Sequence, residues 1–344
     1  MTNILIIDDN VKINKKTTTD RISQAIESMG GRCISLSLED LAYNKSSISI
    51  DYDAGIQHVI FKKDNQVVNL TEEIRSVFCW RPKMPEEIKK QFKEKKTRSF
   101  YVGEWSCFLT GLFLSLQHCF WINPYPENVV FEEKAYQLKI AQQLGFRVPK
   151  SYLTTSLDDA YQYFKSFNDK IVYKPLSQTT WEKKEKHDDQ PAFYAIYTNI
   201  IDKQDLLSSK DVYATPNIFQ AYIEKKVELR ITCVGKAVMA CEIHSQDSSI
   251  SKHDWRRYDI GHTKYEKHTL PQEIEQLCIK LLEKLRLTYG CIDMIITPDD
   301  EYVFLELNPN GQYGWVEGLT GFPITENIAR MLMKGSIEYD IKRW

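Results

Sequence analysis

The chain has 344 residues, with 45 Lys and Arg against 47 Asp and Glu and a formal net charge of −2. That length allows two or three domains, each with its own core, and the charge balance excludes the overall basic bias of a nucleic-acid or anionic-membrane binder. Eight cysteines, at 33, 79, 107, 119, 233, 241, 278 and 291, include no CxxC pair, which argues against a zinc knuckle or a disulfide framework and for a reducing, cytoplasmic setting.

Asn3 to Ile7 is a continuous apolar run that ends in Asp8-Asp9-Asn10, as in a buried parallel strand opening into a polar loop. The two aspartates interrupt the run too early for a signal peptide. A helix from about Asp20 to Met29, stopped by Gly30-Gly31, and a strand over Cys33 to Leu38 follow, a β-α-β start that predicts an α/β domain. The first loop is not glycine-rich, so no dinucleotide fingerprint is present. Lys45 to Leu70 is less regular and reads as a small hairpin or a mobile loop. Val77 to Arg81 reads as a strand, Ser99 to Gln117 as a helix, and Phe120 to Ile122 as a short strand before a Pro-rich bend. The longest apolar stretch, Cys107 to Leu116, is too short to span a bilayer. A helix over Phe131 to Leu144 carries apolar residues at 131, 135, 138, 141 and 144, one buried stripe, and Gly145 stops it. A domain boundary falls near Tyr125 to Asn128.

From Val148 short strands with charged turns dominate. Lys170 to Lys174 is a strand, and Ser177 to Pro191 is polar and reads as a mobile loop. Ile218 to Ile223 is another strand, and Val227 to Val234 with Ala237 to Ser245 forms a hairpin around Gly235-Lys236. Ser245 to Trp255 is again polar. A helix over Gln272 to Leu287 precedes a second hairpin, and Thr325 to Met333 closes the chain.

That second hairpin, GCIDMIITPDDEYVFLELNPNGQYGWVE from Gly290 to Glu317, carries the clearest chemistry. A tight turn at Pro298 to Glu301 puts Thr297 opposite Tyr302 and, four places back, Asp293 opposite Glu306. Asn308 shares the face of Glu306 by strand alternation. Facing carboxylates destabilise a sheet unless something neutralises them, and an oxygen-only set suits Mg²⁺ better than zinc. A solvated acidic face is the alternative.

Lys174, at the end of a buried strand, needs a partner for its ammonium such as a triphosphate, or it snorkels to the surface. Glu228 and Arg230 share a strand face, which suits oxyanion recognition or an ordinary cross-strand ion pair. Asp254-Trp255-Arg256-Arg257 places cations in a polar loop able to cover developing negative charge. No HExxH, GxSxG or GxxxxGK[ST] motif occurs.

The order of these motifs resembles the ATP-grasp superfamily and, within it, the ATP-grasp ribosomal peptide maturases of the microviridin (graspetide) type. The stretches that carry the likeness are Trp80-Arg81-Pro82, Glu104-Trp105, WINPYPENVVFEEKAYQLKIAQQLGFRVPKSYLTT at 121 to 155, IVYKPL at 171 to 176, AIYTN at 195 to 199, IFQAYIEKKVELRITCVG at 218 to 235, DWRRYD at 254 to 259, and the block from 290 ending in GLTGFPI. The resemblance implies a pre-ATP-grasp α/β domain at 1–125, a central ATP-grasp part at 126–215, and a C-terminal part at 216–344 that carries the metal. It implies that Lys134 and Lys174 reach ATP phosphates. Gln220 would lie beside adenine, with the backbone of Ala221 and Ile223 at its edge, and Glu228 would hold the ribose. Arg230 and Arg256 would face the transferring phosphoryl group, with Asp293, Glu306 and Asn308 as Mg²⁺ ligands. The loop at 177–191 departs from many relatives in having no glycine.

The implied activity is ATP-dependent activation of an Asp or Glu side chain of a ribosomally made precursor peptide, then closure of an ω-ester or ω-amide ring. A ligase joining small amino acids, or extending a protein tail, shares the same ATP site and is the alternative. The implied partner is a leader-bearing peptide with a core rich in Thr, Ser, Asp and Glu, not nucleic acid or membrane. Oligomeric state stays open, with a homodimer as one outcome.

Overall fold

The computed structural model describes residues 1–8, 17–80, 94–164, 171–176, 180–183, 192–195, 199–201, 215–245 and 263–344. Strand β1 (Asn3–Asp8) has β2 (Arg32–Ser37) parallel on one side. Three strands, β3 (Ser46–Asp53), β4 (Ile56–Lys63) and β5 (Gln66–Asn69), form a separate antiparallel sheet where a hairpin or mobile loop was expected. Strand β6 (Ser76–Cys79) then joins β1 on its other side, with β7 (Phe120–Ile122) beyond it, all parallel.

The apolar run of β1 is unbroken because both its faces are covered. Leu5 and Ile7 share a core with Leu109 and Leu112 of the helix Lys95–Ser115 and with Val59 and Phe61 of β4. Ile4 and Ile6 share another with Ile22 and Ile26 of the helix Thr18–Ser28 and with Ile328 of the closing helix Ile324–Lys334. The C-terminus therefore completes the N-terminal domain. Thr17 starts the first helix with a reciprocal cap: its hydroxyl accepts from the Asp20 N–H at 3.1 Å, and its own N–H donates to the Asp20 carboxylate at 3.0 Å.

In the middle of the chain β8 (Ser151–Thr154), β9 (Ile171–Lys174), β12 (Asn199–Ile201) and β13 (Asn217–Ala221) make an antiparallel sheet in the order β12-β9-β13-β8. Strands β10 (Thr180–Lys183) and β11 (Ala192–Ala195) pair as a ribbon, so part of the stretch expected to be a loop is hydrogen-bonded strand. A ribbon needs no apolar period to be paired, which is why periodicity does not mark it.

The C-terminal sheet is antiparallel, ordered β16 (Tyr265–His268), β15 (Ala237–Ile243), β14 (Val227–Val234), β17 (Tyr289–Ile296) and β18 (Tyr302–Asn308). One of its faces packs Leu229, Ile231, Ile292 and Met294 against the helices Gln272–Lys284 and Lys134–Leu144. The other face is divided. At one end Met239, Cys241, Tyr289 and Cys291 join the core shared with Ile4 and Ile6, and at the other the side chains are charged. No helix among the described residues is long and apolar enough to cross a membrane.

Asn123, 2 % exposed, fastens β7 to the start of β17. Its amide nitrogen donates to the Tyr289 carbonyl at 2.8 Å and the Pro309 carbonyl at 2.5 Å. Its amide oxygen accepts from the Thr288 N–H at 2.9 Å and the Tyr289 N–H at 2.7 Å. Asn123→Ala would strip several buried backbone groups of their partners at once. Urea unfolding is expected to show a loss of about 2–3 kcal/mol.

Candidate active site

Pairing register builds the charged end of the sheet. Arg230 of β14 pairs with Asp293 of β17, and Asp293 pairs in turn with Glu306 of β18. Asn308 lies opposite Cys291, so it stands on the same face as Glu306. Glu228 is two places before Arg230 on that face. The expected opposition of Asp293 and Glu306 holds, but the route to it differs. Ile296, not Thr297, faces Tyr302, and a bulge between Asp293 and Met294 restores the offset before Glu306 is reached. The Phe304 N–H beside the extra residue Leu305 donates to the Arg147 carbonyl at 2.8 Å, so a distant segment supports the irregularity.

Asp293 and Glu306 are 5 % and 9 % exposed, and Arg230 is 4 % exposed. The Arg230 Nη1 lies 3.0 and 3.1 Å from the two Asp293 carboxylate oxygens, and Nη2 donates to the Gln312 carbonyl at 3.2 Å. Burial by itself disfavours the guanidinium charge, but the Asp293 carboxylate outweighs it and holds the Arg230 pKa well above its usual value. Arg230 is therefore a permanent cation. Gly311 makes room for it, since a Cβ there would lie 2.4 Å from the Cys291 Cβ and 2.8 Å from the Arg230 Nη2. Gly311→Ala is expected to push Arg230 off Asp293 and to cost about 1–3 kcal/mol by urea unfolding, the usual range for overpacking.

Lys134 opens the helix Lys134–Leu144. Its ammonium donates to the Leu176 carbonyl at 3.0 Å and lies 4.0 Å from the Glu306 carboxylate. A cavity of about 250 Å³ lies there, lined by Glu132, Glu133, Lys134, Leu176, Glu306 and Asn308 among others. Gln137, 1 % exposed, also reaches it. Its amide donates to the Leu307 carbonyl at 2.7 Å and accepts from the Leu307 N–H at 2.9 Å, which locks the peptide unit between Glu306 and Asn308. Sequence reasoning missed this residue, whose only signal is an amide next to an apolar stripe position.

Of the remaining expected residues, Glu228 shares strand β14 with Arg230, while Lys174, Gln220 and Ala221 belong to the separate sheet of β8, β9, β12 and β13. Lys174, half-buried, ends β9 and pairs with Ile218 of β13. Gln220 is buried, and its amide donates to the Ser151 hydroxyl at 2.8 Å. The Ala221 N–H donates to the Lys150 carbonyl at 2.9 Å. Glu228 accepts from the Lys225 ammonium and, at 2.6 Å, from the Ser245 hydroxyl. Arg256 and the ring-flanked pair at 254–257 lie outside the described residues. All eight cysteines are free. Burial pushes the Cys79 and Cys241 thiols up to about 12, far from the range of a nucleophile.

Two buried carboxylates and a carboxamide on adjacent strands, with no Cys or His contributing, are chemically suited to a hard divalent cation. Lys134 and Arg230 on either side add fixed positive charge for anionic oxygens. Asp293 already shares its oxygens with Arg230, and each carboxylate oxygen has a second lone pair for a metal. The residues thus fit a cation carried by a nucleotide.

Comparison with known proteins places the chain in a family. The model of the MvdD pre-ATP grasp domain matches residues 4–129, and that of the RimK-like ATP-grasp domain matches residues 194–332. No curated protein sequence matches the chain. Among solved structures, a Chryseobacterium gregarium RiPP-associated ATP-grasp ligase, in complex with ADP and a leader and core peptide, superposes with a TM-score of 0.87 at 29% identity over 98% of each chain. The macrocyclase MdnC from Microcystis aeruginosa MRC, bound with its precursor peptide MdnA, gives a TM-score of 0.81 at 27% identity over 97% of this chain and 100% of that one. The ligase PsnB, complexed with a minimal precursor, Mg and ADP, shares the fold at 15% identity, with a TM-score of 0.75 over 96% of both chains. With an MvdD-type domain in front and a RimK-like domain behind, this chain is an ATP-grasp ligase of the ribosomal peptide maturase type.

Proposed function

We propose that this ligase uses ATP and Mg²⁺ to close ω-ester or ω-amide rings within a ribosomally made precursor peptide. The observation that carries the proposal is the oxygen-only set of buried Asp293 and Glu306 with half-buried Asn308, held beside Lys134 and Arg230 in a chain that aligns end to end with peptide-bound ligases. Asp293, Glu306 and Asn308 would hold Mg²⁺, which on binding shields phosphate charge.

The chain's own groups do the rest. Lys134 and Lys174 bind phosphate oxygens, Gln220 and the backbone at Ala221 and Ile223 border the base, and Glu228 accepts the ribose hydroxyls. Arg230 and Arg256 stabilise charge on the transferring phosphoryl group. The peptide carboxylate oxygen attacks the γ-phosphorus and ADP leaves; a Ser or Thr hydroxyl, or a Lys amine, of the same peptide then attacks the acyl carbon and expels phosphate. The chain is proposed to work in the cytoplasm, on cores rich in Thr, Ser, Asp and Glu, and as a homodimer. The divisions 1–125, 126–215 and 216–344 are proposed as its functional parts.

Purified protein with Mg²⁺, ATP and its precursor peptide is expected to release ADP and a peptide lighter by one water per ring, read by mass spectrometry. ATP turnover with free amino acids and none with peptide would establish the small-substrate ligase instead.

A further inference from the structure

The opposite face of the same sheet carries a second polar cluster. Leu229 pairs with Glu242 while Arg230 pairs with Cys241, so Glu242 points away from the nucleotide side. Glu242 of β15 is directly opposite Glu266 of β16, a like-charge pair that costs stability unless a cation sits with it. His244, two residues after Glu242, places its Nε2 3.1 Å from the Glu242 Oε2 and 3.4 Å from the Glu266 Oε2. That nitrogen is buried and in ion-pair contact with both oxygens, but its geometry gives a well-aligned hydrogen bond to neither. It points between the two carboxylates rather than at one. The three donor atoms lie within 4.8 Å of one another, the only such His, Cys, Asp or Glu group among the described residues.

We propose that Glu242, His244 and Glu266 form a binding site for a divalent transition metal of the Zn²⁺ class, separate from the nucleotide site. One imidazole nitrogen and two carboxylate oxygens form a borderline donor set, unlike the oxygen-only set on the other face. A dication between the two glutamates cancels both charges and accepts the lone pair of the buried nitrogen. Outer residues are arranged to orient the ligands. The His268 Nδ1 lies 2.6 Å from the Glu242 Oε1, and its Nε2 lies 2.9 Å from the Tyr302 hydroxyl. The Lys264 ammonium contacts the Glu266 Oε2 at 2.8 Å and is the group a metal would have to displace or share with. His244, Glu242 and Glu266 keep 25 %, 23 % and 44 % of their side-chain surface, so a fourth position is open to water.

The test is isothermal titration of the full chain, freed of metal with a chelator, with ZnCl₂. The wild type is expected to take up one equivalent. His244→Ala and, separately, Glu266→Gln are expected to lower affinity more than about 100-fold, and His268→Ala by about 10–100-fold as an outer-shell partner. Glu306→Gln is expected to bind zinc like the wild type, which separates this site from the nucleotide site. Circular dichroism establishes that each variant is folded, and the isosteric Glu266→Gln, at a half-buried position, serves if His244→Ala is not. Wild type that takes up no stoichiometric zinc, or zinc binding that survives Glu266→Gln and is lost in Glu306→Gln, would overturn the proposal.

Discussion

Glu306→Gln is expected to lower ATP turnover with peptide by more than about 100-fold while leaving the fold in place. Outer-shell partners of a metal ligand are each worth about 10–100-fold, so a direct ligand is worth more. The substitution keeps the size of a side chain that is 9 % exposed and removes only charge and one acceptor. Lys134 keeps its hydrogen bond to the Leu176 carbonyl, so the ammonium is not stranded. An ADP-release assay with a Mg²⁺ titration, alongside urea unfolding, checks both halves. Turnover within a few-fold of wild type would remove Glu306 from the metal site.

Arg230→Met is expected to have the largest effect on stability. Asp293 is 5 % exposed and has the Arg230 guanidinium across both its oxygens. Removing the cation leaves a buried carboxylate uncompensated, which costs about 3–5 kcal/mol. Urea unfolding should show the midpoint falling with an unchanged slope. The double variant Arg230→Met, Asp293→Asn should recover part of the loss, because the stranded charge is gone. If the single variant unfolds within 1 kcal/mol of wild type, on the order of an exposed pair, the ion pair is not the buried element described above. Arg230→Lys retains charge but cannot span Asp293 and the Gln312 carbonyl together, and is expected to fall between the two.

Much of this site was legible in the residues, for reasons that differ from one residue to the next. Glu228 and Arg230 share a face because strand alternation is local. The opposition of Asp293 and Glu306 was reached by a register that is wrong at Tyr302. Carried straight from the observed Ile296–Tyr302 pair, the ladder would set Glu306 opposite Ile292, in the apolar core. The bulge at Leu305 returns it to the polar face, and its anchor is the Arg147 carbonyl, more than a hundred residues earlier. No local pattern contains that contact.

Long-range polar ties were illegible for the same reason. Gln137 and Asn123 look like ordinary amides in the chain, and their roles exist only once Leu307 and Tyr289 are brought alongside. The sheet over Ser46–Asn69 was obscured differently: β3 reads buried only at Ser46, with its outer residues exposed, so its apolar signal is weak. The closing helix was read at nearly its true position, but not its destination on the N-terminal sheet. Its apolar stripe says that it is buried, not against what.

The most direct test of carboxylate activation is to follow oxygen. A precursor peptide with ¹⁸O in its Asp and Glu side-chain carboxylates is incubated with the enzyme, Mg²⁺ and unlabelled ATP, and the released phosphate is examined by mass spectrometry. One ¹⁸O atom in phosphate per ring closed is the predicted result, because the oxygen that attacks the γ-phosphorus leaves with it. Ring closure accompanied by phosphate free of label would show that the peptide carboxylate is never phosphorylated, and would contradict the account.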